Sequence, residues 1–410
     1  MLKKSKFNFW LSLLFVAMLS LFVFACGGGG SGSGTNDGGG SDGDETVFVA
    51  PEHPGTGTEA DPFLVYSVET LQHVGKPTTD GDYDTWTLDA HYKQLTNIDL
   101  SSVENWTPIG DWYNRFTGSY DGNNKVISNL TTTSTGNSIG LFGYIQGNGT
   151  TTCIIKNIGL ENVTISGGGN VGGVVGSLYQ TTVKNCYVAG SVTGSGSGVG
   201  GVVGGSFQTS TVENCYATAS VTGLSSVGGV VGSNQKSTVK NCYATGNVSN
   251  TYPYTTSSSQ AGGIVGFNTG PVENCYATGR VSCIVNTVQS GGIVGDVDTT
   301  SIKNCVGLNT TIQGDPSNSG RILGHSFGGS LSNNYARSDM LVNGWATTST
   351  SITSINGAGI TSDEYFTATW WTTSAAWDTS IWDITDGKLP TLKNVGGIQN
   401  PTVLPIPVID

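Results

Sequence analysis

Residues 199–223 read VGGVVGGSFQTSTVENCYATASVTG, and residues 227–250 read VGGVVGSNQKSTVKNCYATGNVSN. The two stretches share a glycine block, a polar turn and an N-C-Y-A-T strand in the same order. Working outward, VGGVVG ends at Gly176, Gly204 and Gly232, and GGIVG ends at Gly266 and Gly295. The steps between them are 28, 28, 34 and 29 residues. Degenerate copies, IGLFG ending at Gly143 and GRILG ending at Gly324, flank the series. The second motif keeps time with the first: its cysteines are Cys186, Cys215, Cys242, Cys275 and Cys305, at steps of 29, 27, 33 and 30. The extra length in one copy falls in SNTYPYTTSSSQ (249–260), which is expected to bulge as a loop.

Each copy holds three short β-rich runs separated by turn residues and no helix-length segment. A unit this small cannot bury its own apolar face, so neighbouring copies must stack. The expected fold is all-β: a right-handed parallel β-helix of seven to eight coils, with strands ~4.8 Å apart from coil to coil. A short N-terminal cap helix is expected within SVETLQHV (67–74), and a Trp-rich C-terminal cap in 360–395, where Tyr365, Phe366, Trp370, Trp371, Trp377 and Trp382 concentrate. Caps are needed because a solenoid's open edges would otherwise pair with other chains.

Stacking turns each motif position into a ladder. The residue before NC is Lys184, Glu213, Lys240, Glu273 and Lys303, preceded by Lys156, so opposite charges face one another along most of the column. Asn185, Asn214, Asn241, Asn274 and Asn304 form a second column. On one straight strand, Val183 and Cys186 cannot both point inward. A bend at Asn185 resolves this, since Asn tolerates the left-handed conformation and its amide can bond the next coil. Cys186, Cys215, Cys242, Cys275 and Cys305 then face the core, and Tyr187, Tyr216, Tyr243 and Tyr276 face outward. The Tyr column is read as stacked exposed rings, with a sugar-binding strip as the alternative. In-register neighbours sit slightly too far apart for relaxed S–S geometry, so the cysteines are expected reduced and buried.

The ends of the chain carry other signals. Lys3, Lys4 and Lys6 precede the apolar run 9–25, which ends in VFAC at Cys26. This is an export signal whose ending resembles a bacterial lipobox, making Cys26 the expected lipidation site. Residues 27–46 are Gly, Ser and Asp-rich and read as a flexible tether. The expected organisation is therefore 1–26 signal, 27–46 tether, 47–135 N-terminal cap and first coils, 136–335 repeats, and 336–410 C-terminal cap and tail. Gly27 does not signal inner-membrane retention, so the outer membrane or cell surface is the expected location.

Composition narrows function. The 410 residues include 62 Gly, with 17 Lys and Arg against 29 Asp and Glu, for a net charge of −12. Nucleic acid is not an expected partner, because phosphate binding needs clustered cations. No CxxC pair, HExxH, P-loop or Ser/His/Asp pattern occurs, and His53, His73, His91 and His325 are scattered. Asp80, Asp82 and Asp84 could offer carboxylates to calcium, but the Gly and closing Glu of an EF-hand loop are missing, so a solvated turn and no cofactor are expected. Glycosidases need two facing carboxyl groups ~5–9.5 Å apart. Asp296 and Asp298 are the best internal pair, in a polar turn.

The glycine block joined to NCYATG resembles the GLUG-motif repeat family of bacterial surface proteins. The likeness spans roughly 55–395 and is best between 170 and 305. It implies a β-helical stalk or adhesin-like module. Some members are large IgA-type metallopeptidases in which the repeat is accessory, and that activity does not carry over without an HExxH. The expectation is a lipid-anchored surface protein that adheres to or binds a glycan or matrix protein and is not an enzyme. The alternatives are a β-helix lyase or glycoside hydrolase, and a passive envelope spacer.

Overall fold

The computed structural model describes residues 48–79, 81–147, 153–254, 259–403 and 405. The expected signal, Cys26, the tether and Asp80 lie outside the described residues. Among the described residues, no helix is long and apolar enough to cross a membrane.

The motifs wind into a parallel β-solenoid of about nine turns. On one wall the strands Phe63–Val65, His91–Gln94, Ser119–Ser128, Ile154–Gly167, Thr182–Lys184, Thr211–Glu213, Thr238–Lys240, Val272–Glu273, Thr300–Lys303 and Gly329–Ser332 stack in that order. Each glycine block forms a corner between two further walls. In one coil, Ser197–Gly200 belongs to a six-stranded sheet and Val203–Phe207 to a seven-stranded sheet.

Sterics explain why the two motifs keep step. A Cβ on Gly201 would stand 2.2 Å from the Gly229 carbonyl oxygen of the next coil and 2.7 Å from Ala217 Cβ. Gly229 would meet Gly263 O at 2.1 Å and Ala244 Cβ at 2.7 Å, and Gly263 would meet Ala277 Cβ at 2.7 Å. In three coils the second glycine of the block thus opposes the alanine of the N-C-Y-A segment across a narrow core, and in the coil before them Gly173 opposes Val188. A side chain on the glycine side would force the walls apart, at a cost of about 1–3 kcal/mol per overpacked site. Columns of Val fill the rest: Val183, Val212, Val239 and Val272 are paired in register and fully buried.

The first coils, at 63–128, lack this arrangement. Their interior is packed by Phe63, Trp86, Tyr92, Phe116 and Tyr120, whose rings lie 5.0–6.1 Å apart where they neighbour one another. Large rings fill the space, and the close-packed glycines there, such as Gly118 against the Ala90 carbonyl, do not recur at the repeat spacing. This is why the glycine spacing predicts fewer turns than exist. Helix α1, Val68–His73, starts this end with a capping box in which Ser67 Oγ accepts from Thr70 N (3.1 Å) and Thr70 Oγ1 accepts from Ser67 N (2.9 Å).

The C-terminal Trp-rich segment is not a plug over the last coil. That end holds the fully buried Arg321, whose Nη1 and Nη2 donate to the Arg337 and Gly357 carbonyls at 3.1 and 3.0 Å, and the hairpin Leu341–Val342 with Trp345–Ala346. Helices α2, Ser362–Tyr365, and α3, Ala368–Thr373, instead begin a strap along the side of the solenoid. Its contacts reach from the last coils back to Tyr216, and its end turns back to Tyr243. Asn333 Nδ2 donates to Ser374 O, and Trp377 Nε1 to Asn304 O. Tyr276 Oη donates to Pro390 O, Tyr243 Oη to Gln399 Oε1 and Tyr216 Oη to Gly396 O.

Candidate ligand-binding groove

The asparagine column is continuous. Asn185, Asn214, Asn241, Asn274 and Asn304 all have φ of 52–53°, so the chain bends at each as the Val/Cys alternation requires. Each Nδ2 donates to the Oδ1 of the preceding coil's Asn, at 3.0, 3.2, 3.1, 3.0 and 3.0 Å in that order. Asn157 and Asn333 extend the column at either end, and Asp121 receives the amide of Asn157 at 2.9 Å.

The five motif cysteines are fully buried and free. Burial among apolar groups holds the Cys215 and Cys275 thiols well above their ordinary value. In the charge column Lys156, Lys184, Glu213, Lys240, Glu273 and Lys303 stand in register. Glu213 and Lys240 close to 2.9 Å, while Lys156 turns from its like-charged neighbour to Asp121 at 3.2 Å.

The Tyr column must be corrected. Tyr187, Tyr216, Tyr243 and Tyr276 do stack, with centroids 5.0, 4.8 and 4.9 Å apart and ring planes within 6° of parallel. They are at most 3% exposed, because the strap covers them with Trp371, Trp377, Trp382, Pro390 and Gly397. Alternation placed them outside the coil correctly, but they face a second apolar core rather than solvent or a ligand.

The carboxylates considered for hydrolysis also differ from expectation. Asp296 is buried on the rung below His325 and accepts from its Nδ1 at 3.0 Å. Desolvation raises its pKa against the opposing pull of that imidazole. Asp298, partly exposed, adds a smaller repulsive push on the Asp296 carboxyl. Asp82 and Asp84 are exposed in a turn. Among the described residues, no three His, Cys, Asp or Glu side chains cluster as metal ligands would.

A different site emerges on the seven-stranded wall, near the N-terminal coils. Trp112, Asn137, Ser138, Tyr144, Asn170, Ser177, Tyr179 and Phe207 line a groove of about 450 Å³. Tyr144 and Ser177 occupy one register column, and Tyr179 and Phe207 the next. Phe207 lies over Gly205, where a Cβ would come within 2.7 Å of the ring, so this glycine lets the ring flatten onto the wall. Trp112 comes from a loop tied by Asp111 Oδ1, which accepts from the Tyr113 and Asn114 amides at 2.7 and 2.6 Å. Its ring is 59% exposed and sits edge-on to Tyr144 at 5.2 Å.

Polar groups complete the groove. Asn170, at φ 50°, donates to Ser177 Oγ at 3.1 Å, and Ser138 and Ser177 hydroxyls are 2.9 Å apart. Asn137 Oδ1 accepts from Gly169 N at 2.7 Å, and its Nδ2 makes no hydrogen bond among the described residues. The lining carries no carboxylate. Flat rings beside fixed amides and hydroxyls suit a sugar: rings cover its apolar C–H face while amides and hydroxyls bond its equatorial hydroxyls. These residues sit at variable positions just after the glycine blocks or in the flank, outside the repeated motifs. The one available sign was an aromatic residue at matching offsets in GSLYQ and GSFQ.

The GLUG motif matches four times, at residues 167–193, 195–222, 223–249 and 257–282. Halomucin from Haloquadratum walsbyi is 33% identical over 147 residues, 34% of this chain and 2% of halomucin. A protein of Evansella cellulosilytica named as a Gly-rich membrane protein is 32% identical over 145 residues, 33% of this chain and 15% of its own length. The chain thus spans a small part of both relatives. Among solved structures, a Bacteroides ovatus protein assigned by name to the immunoglobulin A1 proteases matches 83% of this chain and 94% of its own, with a TM-score of 0.57 and 21% identity. An IgA1 protease matches 68% of this chain and 21% of its own, with a TM-score of 0.50 and 17% identity. At such identities the likeness is one of fold.

Proposed function

We propose that this GLUG-motif repeat solenoid is a lipid-anchored protein of the bacterial outer surface that binds a glycan in the groove between Trp112 and Phe207. The observation that carries the reading is the meeting of four aromatic side chains with Asn137, Ser138, Asn170 and Ser177 on one rigid wall. Tyr144, Ser177, Tyr179 and Phe207 lie on strands held by ladder bonds and so lose little freedom on binding, which favours recognition by a preformed site. The names of halomucin and of the Gly-rich membrane protein agree with a place at the cell envelope. Lipidation at Cys26, followed by the tether of residues 27–46, would hold the groove away from the membrane.

The test is retention of the protein on a panel of immobilised polysaccharides and matrix proteins, together with assay for newly formed sugar ends. Saturable retention on a polysaccharide, lost in Trp112→Ala and Tyr179→Ala, supports glycan binding. Retention on matrix proteins alone, or retention indifferent to both substitutions, would refute it. Release of sugar ends would favour hydrolysis and turn the search to paired carboxylates such as Asp296 and Asp298.

A further inference from the structure

We infer that the groove selects a glycan bearing a carboxylate, through Arg115; this rests on the glycan reading above. Arg115 projects from the same loop as Trp112, and its guanidinium carbon lies 5.3 Å from the Trp112 ring centroid and 5.4 Å from that of Tyr144. Both rings line the groove. Its Nε donates to Trp112 O at 3.1 Å and its Nη1 to Gln146 Oε1 at 2.5 Å. These bonds and the two rings fix the plane of the fork.

What the guanidinium lacks is an anion. The chain has 29 acidic side chains against 17 basic ones, yet none forms an ion pair with Arg115 among the described residues. The nearest acid in sequence, Asp111, spends its Oδ1 on backbone amides of its own loop. Nη2 has no hydrogen-bond partner among the described residues. A cation held against two rings that line the groove, with one nitrogen of its fork unbonded among the described residues, is placed to meet an anion from outside. A planar fork matches the two oxygens of a carboxylate, and a charge-assisted pair formed beside aromatic rings is stronger than one in open water. The expected ligand is therefore a uronic-acid-type sugar, its ring against Trp112 and its carboxylate toward Nη2.

The full-length protein is titrated calorimetrically with oligogalacturonate, its fully methyl-esterified form and a sulfated neutral oligosaccharide. The expected result is that esterification weakens binding roughly 10-fold to 100-fold. Arg115→Gln should bring the acid form down to the affinity of the ester and leave the ester unchanged, while Arg115→Lys recovers part of the difference. A melting temperature within a degree of wild type for Arg115→Gln excludes a collapsed loop as the cause. Equal binding of acid and ester, or an Arg115→Gln variant that loses both equally, overturns the inference while leaving glycan binding intact. Binding of the sulfated ligand alone overturns the choice of carboxylate. Binding of no sugar in this set or in the wider panel fails the underlying reading instead.

Discussion

Trp371, Trp377 and Trp382 hold the strap to the Tyr column, and replacing all three by Ala should peel the strap away while the coils stay wound. The three are at most 3% exposed, and neighbouring ring centroids lie 4.6 and 4.4 Å apart. A buried Trp→Ala change costs about 3–5 kcal/mol. The sites touch one another, so the sum of about 9–15 kcal/mol is not additive. Even half of it, roughly 5–7 kcal/mol, is comparable with the stability of a whole domain and exceeds what a local unit can supply. The coils do not depend on the strap for their ladder bonds, so far-ultraviolet circular dichroism should change little. Tyrosinate absorbance reads the strap directly. Burial pushes Tyr187, Tyr216, Tyr243 and Tyr276 well above the ordinary tyrosine value, so in the native protein they stay silent between pH 9 and 11. In the variant they should ionise near pH 10, adding about four tyrosinates to the signal from the exposed members of the 15 Tyr. The bared strip should also bind a hydrophobic dye and promote association. An unchanged tyrosinate titration in a folded triple variant would refute the strap's role.

Other parts of the structure give independent tests. Asn241→Ala should lose about 2–4 kcal/mol by denaturant titration, from the left-handed backbone and two amide bonds, whereas Asn241→Gly should lose only about 1–2; equal losses would contradict the bend. Gly229→Ala should destabilise by more than 1 kcal/mol despite the small change, because its Cβ meets backbone oxygen; a neutral effect would refute the interlocked core. The buried Cys153, Cys215 and Cys275 thiols, whose desolvation favours the protonated form, make stability fall in alkali. Native Cys153, held up to about 11 by burial, keeps its proton between pH 9 and 11 while the unfolded chain releases it, so stability drops by about 1.4 kcal/mol per pH unit for each such group. A flat stability profile over that range, or motif cysteines alkylated without denaturant, would contradict a buried reduced column. Cys26→Ser should move the protein out of the membrane fraction, and retention there would remove the lipid anchor.

The repeated part of the fold was legible because two constraints recur every coil. Gly201 must stay small against the Gly229 carbonyl, and Asn214 must both bend and bond, so neither motif can drift. The first coils were less legible since Phe63, Trp86 and Phe116 fill space without periodicity. The inward or outward sense of Cys215 and Tyr216 followed from alternation, but nothing local to Tyr216 records that Gly396, 180 residues later, accepts its hydroxyl. Coverage by a non-repeating segment is a long-range fact. The groove was hidden for the same reason: Trp112 comes from a flank, Tyr144 from a degenerate block and Phe207 from a variable position, and only the register aligns them.

The most direct test of the account is calorimetric titration of the full-length protein with the polysaccharide that retains it best, alongside Trp112→Ala and a control at the strap-covered Tyr216→Phe. Saturable binding is expected of the wild type and of Tyr216→Phe, with a loss of roughly 5-fold to 150-fold in Trp112→Ala, for a stacked ring worth about 1–3 kcal/mol. Unchanged binding in Trp112→Ala, or binding lost through Tyr216→Phe instead, would contradict the assignment of this groove.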